Sequence, residues 1–365
     1  MKIACLTFHN SSNYGAVLQT YALQESVTSL GHNYYIINYS NSEKRKFDSI
    51  FGKNKESCML IYLYKLISSP FNAYIKRKFI MFTDKYLNVT SLYRSHEELK
   101  TLNGNYDYFN CGSDQVWNAE MIRYDSAYFL SFVSNEEQRL SYAASFGKSI
   151  ITEDEKAFYN KMLLNINRIS VREISGKDIV KQCSGKDAQV VLDPTLLLNK
   201  DQWSKIAVVR KSTAPYILVY ALRHDPIVQA FLRKLKRQTG FRIIYISRGL
   251  GSMLRDGATS IPSPEEWVGL FMNASYVVTT SFHGTAFSAN FNRPFFSFIE
   301  GDKNTDTNSR IVHFLKLIGL SDRLYTACPV DQIDLTVPDF DQVNEILSAK
   351  RRESLQYLMD SLDKF

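Results

Sequence analysis

Short apolar runs alternate along the chain with longer stretches in which apolar residues recur every third or fourth position. That rhythm predicts strands separated by helices, the pattern of a parallel sheet covered on both faces. Lys2–Phe8 is the first run, and it ends in a polar loop from His9 to Gly15. Val17, Tyr21, Leu23, Val27 and Leu30 then mark a helix over 16–30, stopped by Gly31, and 34–39 is the next strand. Further strands are predicted at 106–110, 139–146, 168–171 and 189–192, with a helix over 154–164. After a break near 200–215, strands at 216–221, 242–247, 276–280 and 295–299 alternate with helices at 226–238, 264–272, 286–291 and 309–318. A long last helix covers 343–362. The expected organisation is a first α/β lobe over 1–200, a linker at 201–215, a second over 216–342, and a C-terminal helix, 343–365, that returns to the first lobe.

One segment departs from the rhythm. Residues 44–102 interrupt the first lobe and predict a helical insertion, with helices at 58–67 and 74–86. The insertion is also where the charge lies. The chain carries a net +7, and between Glu43 and Lys85 stand ten Lys or Arg against four acids. Basic residues interleaved with aromatics predict either a helical pair packed on the sheet or a surface resting on anionic lipid over 44–85. No nucleic-acid partner is expected. The five cysteines are scattered and contain no CxxC, which points to free thiols in a reducing compartment. MKIACLTFHN enters a strand directly, so no signal peptide and a cytoplasmic location are expected.

The candidate chemistry sits at predicted strand ends. No GxGxxG follows the first strand, no GxxxxGK[ST] occurs, and neither GxSxG nor HExxH is present. What remains is the stretch Ser275–Pro294, where a strand runs into Ser281-Phe282-His283-Gly284-Thr285 and then a small-residue helix. In an open α/β sheet that places His283 at the ligand-binding edge, beside helix amides suited to an anion. Strand ends at Asn13, Asp114, Ser145 and Arg172 line the corresponding edge of the first lobe. Arg172, Arg223, Arg248 and Arg310 all follow predicted strands or open helices, where a guanidinium suits a carboxylate or phosphate. For Arg223 and Arg248 a surface ion pair is the stronger reading. Asp114 reads equally as a base or as a turn cap after Gly112.

Six blocks then carry a resemblance. Asn13-Tyr14-Gly15-Ala16-Val17-Leu18-Gln19, Gly112-Ser113-Asp114-Gln115-Val116-Trp117-Asn118, Ser141 to Gly147, Ser170-Val171-Arg172-Glu173, Asp193-Pro194-Thr195 and Ser281 to Thr285 occur in order. In these the chain resembles the polysaccharide pyruvyl transferase family. The resemblance implies two Rossmann-like lobes facing a cleft, as in GT-B glycosyltransferases. It also implies transfer of pyruvate from phosphoenolpyruvate onto a sugar as a ketal, with galactose O4/O6 as the family-level expectation. The acceptor would be a lipid-linked oligosaccharide of capsule or exopolysaccharide synthesis at the inner membrane face.

The resemblance implies that Arg172 and His283 help hold phosphoenolpyruvate. Taken with the chemistry of ketal formation, His283 and Asp114 are expected to be catalytic, and Arg172, Arg310, Ser281, Gly284 and Thr285 to bind the donor. Asn13, Tyr14, Gly15, Ser113 and Trp117 are assigned to the acceptor. Some relatives carry a basic residue where this chain has Ser281; Arg310 is the candidate replacement. No cofactor or metal is expected. Two other readings stay open: a GT-B glycosyltransferase using a nucleotide sugar, and a non-catalytic anion or glycan binder.

Overall fold

The computed structural model describes residues 1–41, 58–209, 214–221, 225–246, 258–299, 306–327 and 333–362. The chain divides into two compact units, Met1–Pro194 with Glu353–Phe365, and Thr195–Arg352.

The first unit is built on β1 (Lys2–Leu6), β2 (Asn33–Tyr39), β3 (Val89–Tyr93), β4 (Tyr108–Cys111) and β5 (Arg139–Ser141). All pair in parallel, in the order β3-β2-β1-β4-β5. Isolated parallel bridges, Leu140 to Arg168 and Ala144 to Val171, carry the order on to β6 (Ser170–Val171), which pairs with β7 (Gln189–Val190). Every residue of β4 is buried, as a central parallel strand with two covered faces requires. Trp117, Phe129, Phe146 and Tyr159 form the aromatic centre of this unit's core; Trp117 and Phe129 stack at 5.3 Å.

The second unit repeats the plan. β8 (Tyr216–Tyr220), β9 (Arg242–Ile246), β10 (Ala258–Ser260), β11 (Tyr276–Thr279), β12 (Phe295–Phe298) and β13 (Leu324–Tyr325) are parallel, ordered β10-β9-β8-β11-β12-β13. The helix Pro226–Thr239 shows how the sequence specifies its parts. Asp225 accepts from the Ile227 amide, Pro226 opens the first turn, and Gly240 closes the helix in the left-handed region. Val228, Phe231, Leu232 and Leu235 fall on one stripe and are buried. Each contributes about 1.5–3 kcal/mol by leaving water.

In both sheets the chain steps outward from its first strand and then returns to that strand's other side. The order reverses between β1 and β4 and again between β8 and β11. The crevice outside the carboxyl ends at such a point is where open α/β sheets take ligands.

Several sequence expectations need correction. The segment 44–102 is not purely a helical insertion, because it contains β3, which hydrogen-bonds to β2 as the sheet edge. The two helices expected at 58–67 and 74–86 are one helix, Cys58–Tyr86, with Pro70 inside it, and a short capped helix, His96–Lys100, follows β3. A proline forfeits one intrahelical hydrogen bond, and tertiary packing overrides that cost here. The 201–215 stretch is in part structured: Lys200–Ser204 is a capped helix, and Trp203 is fully buried with its indole N–H donated to Thr195 O at 3.0 Å. The last helix, Phe340–Leu362, starts earlier than its periodicity suggests. Within the first unit its Tyr357 hydroxyl donates to Ser141 O at 3.0 Å. Within the second, Arg351 donates to Leu196 O and to Asn290 Oδ1.

Candidate functional site

In the first unit, the loops after β1 and β4 flank the reversal point. Asn13 caps the helix Tyr14–Ser29, its side chain accepting from the Gly15 amide at 3.1 Å. The Thr7 hydroxyl donates to Ser113 O and accepts from Gln19 Nε2, both at 3.0 Å, tying the two loops together. Gly112 is required for this approach: a Cβ there would lie 2.9 Å from both Cys5 Sγ and Thr7 Cβ. Asp114 follows in the left-handed region, φ 72°, and its carbonyl accepts from the Ser145 amide at 3.0 Å. Asp tolerates this conformation better than most residues.

Arg172, at the end of β6, is buried among carboxylates. It donates to Asp193 Oδ2 at 2.7 Å and stands 3.6 Å from Glu173 Oε2. The Ser113 hydroxyl lies 3.4 Å from the same Asp193 oxygen, and Ser145 donates to Glu173 Oε1 at 2.6 Å. Burial alone lowers the basicity of the guanidinium, but the fields of Asp193, Glu173 and Asp114 outweigh it and hold the pKa above its usual value. Arg172 is therefore a fixed, permanent cation. Sequence reasoning missed Asp193 and Glu173 as its partners, although both stand inside motif blocks it had singled out.

In the second unit, β11 feeds directly into the helix Phe282–Asn290. The helix begins earlier than the small-residue run suggests, so His283 belongs to its first turn rather than to a preceding turn. Ser281 is the N-cap residue, without a side-chain cap bond. Its carbonyl accepts from the Thr285 amide at 3.0 Å and from the Thr285 hydroxyl at 3.1 Å. That hydroxyl also pairs with Ser297 Oγ at 2.7 Å, so Thr285 anchors the first turn to β12. Gly284 is pressed on β11: a Cβ there would come 2.1 Å from Thr279 Oγ1. The Thr279 hydroxyl donates to Tyr220 O at 2.8 Å and accepts from the Ser281 amide at 3.1 Å, linking both strands of the reversal point to the helix start. The His283 ring is 8% exposed and meets the Phe282 ring edge-on. Phe282 in turn meets Phe314, of the helix Asp306–Leu317 that carries the half-buried Arg310.

A family model for polysaccharide pyruvyl transferase matches residues 13–302. The chain belongs to the polysaccharide pyruvyl transferase family. That match runs through the 44–102 segment and stops short of Arg310. At the family level the protein is a transferase of polysaccharide biosynthesis, on an α/β fold of two Rossmann-like units.

No curated protein sequence matches significantly. Among solved structures, the chain is similar to UDP-GlcNAc 2-epimerase from Neisseria meningitidis bound to UDP-GlcNAc, at TM-score 0.48 and 10% identity over 100% of both chains. Arabidopsis thaliana UGT89C1 complexed with UDP-L-rhamnose scores 0.44 at 13% identity, covering 98% of this chain and 92% of that one. E. coli ADP-heptose lps heptosyltransferase II scores 0.39 at 11% identity, covering 97% and 99%. Likenesses this remote inform neither substrate nor chemistry.

Within the pyruvyl transferase framework, the first unit brings Asn13, Gly15, Ser113, Asp114 and Arg172 to one sheet edge. Trp117 does not join them. It is fully buried, its indole N–H donates to Tyr128 O at 3.1 Å, and it packs the core, so we withdraw it as an acceptor contact. Tyr14 is also buried, its ring against Phe79. The second unit gathers Ser281, His283, Gly284 and Thr285 on one helical turn. Arg223 and Arg248 lie outside the described residues. Among the described residues, no three His, Cys, Asp or Glu side chains are grouped to hold a metal ion.

Proposed function

We propose that this protein is a ketal pyruvyl transferase that moves pyruvate from phosphoenolpyruvate onto two hydroxyls of a saccharide, with a lipid-linked oligosaccharide as acceptor. The reading rests above all on His283, carried in a family member on the first turn of a helix at the reversal point of its sheet. That turn offers amides and the positive end of the helix dipole to an anion, and an imidazole whose ring nitrogens can donate or accept a proton.

Phosphoenolpyruvate carries a carboxylate and a phosphate, which suits a permanent cation such as Arg172, supplemented by Arg310. His283 donates a proton to the C3 methylene as the first sugar hydroxyl bonds to C2, and Asp114 accepts the proton of that hydroxyl. The C2–O bond to phosphate then breaks and inorganic phosphate departs. The second hydroxyl bonds to C2, its proton passes to the leaving phosphate or a base, and the ketal is complete. The acceptor side draws on Asn13, Gly15 and Ser113. Galactose, bridged at O4 and O6, is the acceptor sugar we favour, in capsule or exopolysaccharide synthesis.

Calorimetric titration tests the donor half of the reading. Binding of phosphoenolpyruvate, with no binding of UDP- or ADP-sugars, is the expected result. Nucleotide-sugar binding without phosphoenolpyruvate binding would replace the proposal with a glycosyltransferase. Phosphoenolpyruvate binding without phosphate release across a panel of galactosides would leave an anion-binding relative.

A further inference from the structure

The helix Cys58–Tyr86 has two faces in its described half. Ile75, Phe79 and Phe82 are buried, with Phe79 against Tyr14 and Phe82 against Tyr21 of the helix Tyr14–Ser29. They follow at spacings of four and three, so one stripe holds the helix on its unit. This corrects part of the sequence expectation, since Phe79 and Phe82 pack inward rather than reaching a membrane. The opposite face is another matter. Tyr74, Met81 and Ile80 are 52%, 60% and 44% exposed, large apolar side chains on a surface helix. Arg77 and Lys85 are exposed and Lys78 is half-buried on the same face, with Lys78 Nζ 5.1 Å from the centre of the Tyr74 ring. Tyr74, Arg77, Lys78, Met81 and Lys85 fall at i, i+3, i+4, i+7 and i+11, a single outward stripe. Asp84 is the one acid among residues 70–86, against Lys76, Arg77, Lys78 and Lys85.

We infer that this stripe docks on an anionic lipid surface, with the helix lying in the plane of the interface. Three features favour lipid over a folded partner. The basic side chains have long stems that let their charges reach head groups while the stems cover apolar surface. Tyr74 has an amphipathic ring of the kind that settles at head-group depth, and Met81, two turns along the same stripe, is placed to enter the acyl boundary. Positive charge spread over more than two turns matches a continuous negative surface. No described helix is long and apolar enough to cross a bilayer, so the attachment is peripheral. The inference does not depend on the pyruvyl transfer proposed above, and neither Arg77, Lys78, Met81 nor Lys85 belongs to the catalytic machinery.

The test uses the full chain and co-sedimentation with vesicles of phosphatidylglycerol and phosphatidylcholine, or of phosphatidylcholine alone. Wild-type protein is expected to pellet with the anionic vesicles at low salt and to be released near 1 M salt, where the screening length falls to about 3 Å. Arg77→Ala/Lys78→Ala/Lys85→Ala lowers partitioning by about a hundredfold, at roughly fivefold per basic residue. Met81→Ser, which leaves charge unchanged, lowers it by about tenfold. Unchanged melting curves for both variants confirm that each remains folded. If a variant does not fold, salt release of the wild type and its preference for anionic over neutral vesicles decide the question. Absence of pelleting overturns the inference. So does equal pelleting with neutral vesicles, or a triple variant that pellets like the wild type. Binding to RNA or to an acidic protein with no vesicle binding would assign the stripe to that partner instead.

Discussion

The contact between Gly284 and Thr279 can be tested by the sign of a single substitution. Gly284→Ala within the helix Phe282–Asn290 would, in open space, stabilise the protein by up to about 1 kcal/mol, the intrinsic preference of a helix for alanine. Here the new Cβ would lie 2.1 Å from Thr279 Oγ1 and 2.9 Å from Thr279 Cβ, far inside van der Waals contact. Overpacking of this kind costs about 1–3 kcal/mol. Displacing the Thr279 hydroxyl also sacrifices its bonds to Tyr220 O and the Ser281 amide, at about 1 kcal/mol each. The net expectation is a loss of about 2–4 kcal/mol. Thr279→Ala removes the hydroxyl that stands in the way, so the double variant should be less destabilised than the sum of the single ones by at least about 1 kcal/mol. Hydrogen exchange of the β8 and β11 amides reads this locally, which matters because a chain of two units need not unfold in one step. Stabilisation by Gly284→Ala, or additivity within about 0.3 kcal/mol, would refute the close approach.

His283→Ala should leave a folded protein whose turnover falls by about two to four orders of magnitude; near-normal turnover would make His283 a packing residue. Arg172→Lys should weaken phosphoenolpyruvate binding measured by calorimetry, whereas Asp193→Asn should destabilise the first unit in urea by about 3 kcal/mol, having broken a buried pair. Asp187→Asn is the control, since its exposed pair with Lys181 should matter by less than about 1 kcal/mol. Burial works to raise the pKa of Glu155, but hydrogen bonds from Lys148 and Thr152 prevail and hold it below the ordinary carboxylate range. Its stabilising contribution is thus full above the unfolded-state pKa and lost as pH falls through the folded one, so wild type should lose stability in acid more steeply than Glu155→Gln.

Much of the fold was legible because parallel strands buried on both faces leave continuous apolar runs. Tyr216–Tyr220 and Tyr108–Cys111 are of this kind, and their helices announce themselves by caps such as Asp225 with Pro226. What escaped was what lacks that signature. β3, VTSLY, is a partly exposed edge strand after a long helix, and β10 and β13 are too short for any period to show. The helix at His283 was expected to begin later, because Ser-Phe-His-Gly reads locally as a turn; pairing of Thr279 with Ser281 fixes its earlier start. Arg172 was legible as a cation at a strand end, but not as one enclosed by carboxylates, since Asp193 reaches it only through the β6–β7 pairing. Trp117 stood in a motif block and was credited with a contact role, yet a large ring beside Phe129 and Phe146 serves the core.

The central claim is that phosphoenolpyruvate supplies the carbon skeleton of a ketal. Mass spectrometry of a lipid-linked, galactose-terminated oligosaccharide incubated with the enzyme and uniformly 13C-labelled phosphoenolpyruvate tests it most directly. The account predicts an acceptor heavier by one labelled pyruvate ketal, with stoichiometric phosphate release, and no such product from His283→Ala. An unlabelled acceptor across a panel of terminal sugars, or a product formed only when a nucleotide sugar is supplied, would contradict it.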